Sequence, residues 1–143
     1  MKKAFAFEML AIGALLLAPL SAFAAADAAA EVSMAFIHVD LAAKANDIHV
    51  VQYHLHHTLN CLVGPKGAGF DPKSLNPCAD LGGGAIPDTT DAAKKARLES
   101  AATAARAGLA ASDLATAQKN AIEADGVLKA AGGNSGGAAM NSY

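Results

Sequence analysis

No glycine or proline occurs between Ala25 and Val63, and this 39-residue stretch limits the chain to few folds. Glycine and proline are the residues that most often interrupt a helix, so a long stretch without either is typical of helix. Gly64 and Pro65 then follow in the order expected of a C-cap glycine and a helix-stopping proline. Alanine accounts for 37 of the 143 residues and favours helix while burying little surface. These features predict an all-α chain of closely packed helices.

A long loop is expected next, because residues 65–88 are rich in proline, glycine, asparagine and aspartate. A 24-residue loop is long for a compact domain unless a cross-link holds it. The chain has two cysteines, Cys61 before the loop and Cys78 within it. We predict a disulfide between them, which should stabilise the fold by about 3 kcal/mol. The alternative is that Cys61 remains a thiol and serves as a soft metal ligand beside His57.

A weak internal repeat indicates how the helices are divided. Asn-Asp-Ile at 46–48 recurs 66 residues later as Ser-Asp-Leu at 112–114, and the first residue of each is a candidate N-cap. Thr89 or Thr90 is the candidate N-cap after the loop. The predicted helices are 27–44, 47–63, 89–107 and 113–131. Their similar lengths suit an antiparallel four-helix bundle. A hairpin of two long helices is the alternative, because a seven-residue apolar register from Met34 to Leu62 continues across the proposed break.

Residues 1–24 are predicted to be a signal peptide. Lys2 and Lys3 make its start basic, an apolar run extends over 10–20, and Ala22-Phe23-Ala24 fits a signal peptidase site. The apolar run is shorter than the roughly 20 residues that span a bilayer, although an uncleaved anchor is the alternative. Cleavage would leave a periplasmic helical domain at 25–131 and a glycine-rich disordered tail at 132–143. The formal charge of −2 excludes nucleic-acid binding through a strongly basic face.

All five histidines lie between positions 38 and 57, and four of them occur within nine residues. His54 and His57 are one helical turn apart on one face, a spacing that lets two imidazoles share one metal ion. If the chain folds back near Ala45, His38 would lie between His49 and His56 and complete a second cluster. Imidazole is a common ligand for copper, zinc and nickel. The predicted metal-binding residues are His54, His57, His49, His56 and His38.

The segment Val51-Gln52-Tyr53-His54-Leu55-His56-His57 and the alanine-rich helix around Asp113-Leu114-Ala115 resemble the small periplasmic metal-binding proteins of bacteria. This resemblance implies a four-helix bundle that binds divalent metals, copper among them, and buffers them in the periplasm. That family spreads histidines over all its helices, whereas residues 89–131 contain none here. We therefore expect one or two sites rather than high-capacity storage.

The expected function is a non-enzymatic, exported protein that binds copper, zinc or nickel in a buffering or resistance role. Binding should weaken below about pH 6, because a protonated imidazole cannot bind a metal. A structural or interaction protein of the cell envelope, with no metal, is the alternative from another class. A b-type haem bundle, with a histidine and Met34 as candidate axial ligands, is a further alternative. No membrane span is expected after cleavage, and metal ions are the expected partners.

Overall fold

The computed structural model describes residues 26–134, and this part of the chain is all-α, as predicted. Its five helices are α1 (Ala28–Lys44), α2 (Ile48–Val63), the short α3 (Ala85–Asp88), α4 (Ala92–Leu109) and α5 (Leu114–Ala130). The predicted signal peptide lies outside the described residues, as does the predicted tail beyond 134. None of the helices in 26–134 combines the length and the hydrophobicity needed to cross a membrane.

The four long helices have nearly the predicted bounds, and residues 45–47 separate α1 from α2. The hairpin of two long helices is therefore excluded. The N-cap of each long helix is an aspartate. Three of these helices were predicted to have other caps: Asn46 for α2, Thr89 or Thr90 for α4, and Ser112 for α5. Asp47, for example, accepts hydrogen bonds from the backbone N–H groups of His49 and Val50. A carboxylate at this position pairs with free N–H groups and also interacts favourably with the positive end of the helix dipole.

The core is formed by small and aliphatic side chains of all four long helices. Helix α1 packs against α2 and α5, and α4 likewise packs against α2 and α5. Gly108 shows how close these contacts are, because a Cβ atom there would lie only 2.5 Å from Leu55 Cδ1. The largest fully buried aliphatic side chains are Val32, Val39, Val51, Leu55, Leu59, Leu62, Leu98 and Leu128. Buried alanines fill the space between them, so the helices approach closely and neighbouring side chains have little room to move.

The long loop is attached to the end of α2 in two ways. A disulfide joins Cys61 to Cys78, which confirms that prediction and excludes Cys61 as a thiolate ligand. The buried Asn60 side chain accepts a hydrogen bond from the Asp71 N–H and donates to carbonyls of the same loop. These bonds satisfy polar groups of a segment that has little regular structure of its own. The loop ends in α3, a single turn that the sequence did not indicate.

Candidate metal centre

Three histidines from two helices meet on one side of the α1–α2 pair. His54 and His57 are one turn apart on α2, and His38 approaches them from α1. The Nδ1 atoms of His38 and His54 are 3.2 Å apart. The ring centroid of His38 is 4.8 Å from that of His57, and those of His54 and His57 are 6.1 Å apart. One ring nitrogen from each histidine lies within 4.8 Å of the others, so all three can contact one ion.

His57 is the most buried member of this histidine cluster, with 1% of its surface exposed. Neither of its ring nitrogens has a hydrogen-bond partner in the structure. Buried polar atoms are normally paired, because losing water without a replacement costs free energy. A metal ion bound by one of these nitrogens would remove part of that cost. His38 and His54 are only partly buried, which leaves the cluster open to solvent on one side.

The environment keeps the three rings neutral. Burial, followed by the nearby His57 and His54 rings, lowers the pKa of His38 to about 4. Burial also lowers the pKa of His54, and burial together with the neighbouring His54 and His56 lowers that of His57. A neutral imidazole has a free lone pair, and a cation that binds it does not first have to displace a proton. The cluster can therefore bind a metal at neutral pH.

The chemistry of the donors limits the type of ion. Three imidazole nitrogens suit zinc, copper or nickel, whereas calcium and magnesium prefer oxygen ligands. Zinc–nitrogen bonds of roughly 2.0–2.1 Å place ligand nitrogens about 3.4 Å apart in a tetrahedral site. The Nδ1 atoms of His38 and His54 are already close to this spacing, and a ring nitrogen of His57 lies within 4.8 Å of the ligand atoms of the other two histidines. Three ligands leave a fourth position for water or an exchanging molecule.

Tyr53 borders the histidine cluster and was not among the predicted site residues. Its ring centroid is 4.2 Å from that of His57 and 5.2 Å from that of His54. The spacing of four residues between Tyr53 and His57 was the available signal, because such side chains are neighbours on a helix. Tyr53 remains 56% exposed, so it covers one edge of the cluster without closing it.

His49 and His56 are not part of the cluster. His49 is exposed in the first turn of α2, and the Nδ1 atom of His56 lies 3.5 Å from Asp71 Oδ2 in the long loop. Successive residues of a helix are rotated by about 100°, which places both of these histidines on a different face from His54 and His57. Among the described residues the structure brings His38 together with His54 and His57, and it does not bring His38, His49 and His56 together.

The turn between α1 and α2 determines which residue His38 faces. A fold-back near Ala45 was expected to place His38 between His49 and His56. Three residues, 45–47, make the turn instead, and His38 lies opposite His54.

Met34, the other candidate axial ligand for haem, packs against the hydrophobic core.

Comparisons with protein-family models, with curated proteins and with solved structures found no match to this chain. The resemblance to small periplasmic metal-binding proteins therefore stays a prediction.

Proposed function

We propose that this protein binds one copper, zinc or nickel ion through His38, His54 and His57 and buffers that metal outside the cytoplasm. The main support is the convergence of three ring nitrogens within 4.8 Å, in a cluster where the buried His57 has no hydrogen-bond partner. Burying His57 is costly for stability alone, because both of its ring nitrogens lose contact with water and gain no hydrogen-bond partner. Binding a cation is the role that explains this arrangement most directly.

A buffering role needs a site that both takes up and releases its ion. The partial exposure of His38 and His54 provides a route for exchange. A fourth coordination position left open to solvent would allow an incoming ligand to take the metal. We infer a stoichiometry of one ion per chain and a non-enzymatic role.

The same proposal places the protein in the periplasm after removal of residues 1–24. Its support is the Cys61–Cys78 disulfide, since disulfides persist in oxidising compartments, together with the signal-peptide pattern of the sequence. A mass measurement on protein recovered from a periplasmic extract tests the cleavage after Ala24. Recovery of the full-length chain only in the membrane fraction would contradict it.

We also infer that the long helices form an antiparallel four-helix bundle. Each long helix packs against at least two others, and short connections join α1 to α2 and α4 to α5. The contacts between α1 and α2 support opposite directions, because Ala35 contacts Thr58 whereas His38, further along α1, contacts the earlier residue His54.

Equilibrium metal titration of the purified protein tests the metal site. We expect uptake of one equivalent of Zn²⁺, Cu²⁺ or Ni²⁺ at pH 7.5, and a loss of affinity of at least about 100-fold in the double variant His38→Ala/His54→Ala. His49→Ala is the matched control, because this exposed histidine lies outside the cluster. Circular dichroism checks that each variant retains its helices. Unchanged uptake in the double variant, or no uptake by the folded wild type, would refute the proposal.

A protein-interaction role is the second candidate, and exposed apolar residues beside the cluster favour it. Leu41 and Val50 are each 44% exposed, and Tyr53 is more exposed still. Such residues are common at interface centres when they lie together. If the folded protein takes up no metal at micromolar concentrations, this candidate becomes the better explanation of the α1–α2 surface.

A further inference from the structure

A concave site lies between the long loop and α4 and shares no residue with the histidine cluster. It encloses about 790 Å³, which is within the range of small-molecule sites. The loop contributes residues 65–68, 82–83 and 86–88, and α4 contributes one stripe of side chains. We call this site the loop cleft.

The walls of the loop cleft are held in place before any ligand arrives. Gly64 and Gly84 pack backbone against backbone, at φ angles of 67° and 116° that favour glycine. The Arg106 guanidinium donates a 2.8 Å hydrogen bond from Nη2 to the carbonyl of Ala68, which connects α4 to the loop. The disulfide and Asn60 fix the rest of the loop to α2. A preformed site of this kind loses little conformational entropy when it binds.

The lining of the loop cleft is mostly apolar, with charged groups among it. Val63, Ile86, Pro87 and Ala102 supply apolar surface. The cationic side chains are Lys66, Lys95 and Arg106, and the acidic ones are Asp88 and Glu99. The site therefore carries one more positive than negative charge.

The charges are not equally available to a ligand. Asp88 Oδ2 accepts a 2.6 Å hydrogen bond from the Gly83 N–H, so this carboxylate is already engaged by the protein. Lys66 and Lys95, by contrast, form no ion pair within 26–134. Glu99 is exposed one turn after Lys95 and is the remaining acidic group facing the cleft. A ligand entering here meets apolar surface and two unpaired ammonium groups.

We propose that the loop cleft binds a small amphipathic anion, with its apolar body against Val63, Ile86 and Ala102 and its acidic group at Lys66 and Lys95. Aromatic or aliphatic compounds with one carboxylate, sulfonate or phosphate group have this chemistry. The amphipathic anion balances the excess positive charge while its apolar part loses contact with water. The loop cleft functions independently of the metal site, since the two share no lining residue.

A pair of dyes that differ in charge tests the proposal. The probe is 8-anilinonaphthalene-1-sulfonate, and its neutral counterpart is N-phenyl-1-naphthylamine, which lacks the sulfonate. We expect saturable, one-to-one binding of the sulfonate dye to the wild type. Lys66→Ala/Lys95→Ala should weaken it about tenfold and leave the neutral dye nearly unchanged. The matched control is Lys119→Ala/Lys129→Ala, which makes the same change of charge on exposed positions of α5 outside the cleft.

Two further variants make the test specific to the loop cleft. Glu99→Gln removes the exposed acidic group and should strengthen binding of the sulfonate dye about threefold. Thr103→Trp places a large side chain at an exposed lining position and should reduce binding of both dyes. The proposal is overturned if the wild type does not bind the sulfonate dye, or if the lysine variant binds this dye as tightly as the control variant does. It is also overturned if the lysine variant loses affinity for both dyes equally. His38→Ala/His54→Ala should leave dye binding intact, so failure of the metal proposal and failure of this one are distinguishable.

Discussion

Acidification should weaken metal binding far less than it would at three histidines with the usual imidazole pKa. With the usual imidazole pKa of 6.5, each ring is about 24% neutral at pH 6, and all three are neutral together in about 1.4% of molecules. The apparent affinity would then fall about 65-fold between pH 8 and pH 6. In this protein the pKa of His38 is lowered to about 4, so this ring stays neutral in about 99% of molecules at pH 6.

The lowered pKa of His38 therefore sets an upper limit on the loss of metal affinity between pH 8 and pH 6. If only His38 were shifted, the two remaining rings would reduce the affinity about 16-fold over the same interval. The pKa values of His54 and His57 are lowered as well, so the observed loss should be smaller than this. Release of the metal moves to a lower pH than the value near 6 expected from the sequence.

Calorimetric titration with Zn²⁺ at pH 8, 7, 6 and 5, corrected for binding to the buffer, measures the loss directly. Ring resonances of the metal-free protein, followed by NMR over the same range, give the histidine pKa values independently. A loss of about 65-fold or more between pH 8 and pH 6 would refute the reasoning. So would titration of the His38 ring near pH 6.5 in the folded, metal-free protein.

Three predictions concern stability. Replacing both cysteines in Cys61→Ala/Cys78→Ala should lower the free energy of unfolding by about 3 kcal/mol, from the loop-closure entropy of a 17-residue separation, and urea denaturation beside the unreduced wild type measures this. Burial, opposed by the Gly84 N–H, raises the pKa of Glu31 from 4.5 to about 7, so its contribution to stability is complete below pH 4.5 and is lost as the pH rises through 7. Glu31→Gln should therefore remove a pH-dependent loss of up to about 2.5 kcal/mol between pH 5 and pH 9. Thermal unfolding across this range checks it, and identical pH profiles for variant and wild type would contradict it. Asp113→Ala removes the N-cap of α5 and should cost about 1 kcal/mol in the same urea assay, with Asp113→Asn as the control that retains a capping oxygen.

The helices were largely predictable because their signals are local. The stretch without glycine or proline, the Gly64-Pro65 pair and the repeat at 46–48 and 112–114 place three of the boundaries within one or two residues. The error in the caps has a local cause too, because Asn46 and Asp47 are both good capping residues and their neighbours do not distinguish them. The short α3 escaped prediction, since a single helical turn that follows three glycines and contains Pro87 carries almost no periodic signal.

The candidate site was predictable only in part. The spacing of His54 and His57 identified two of its members, because that spacing is a property of a single helix. The third member depends on how α1 is positioned along α2, and one extra residue in the turn changes which side chains face each other. The exclusion of His49 and His56 followed once the face of α2 that meets α1 was known.

The sequence by itself determined the four long helices, the cysteine pairing and the concentration of imidazoles in one region, because these depend on residue type and short-range spacing. The tertiary structure decided that His38 belongs with His54 and His57, that His57 is buried without a hydrogen-bond partner, and that the loop and α4 enclose a cleft. These features arise from the register and rotation of packed helices. Such quantities are set by many weak contacts across the core, and no short segment of the chain encodes them.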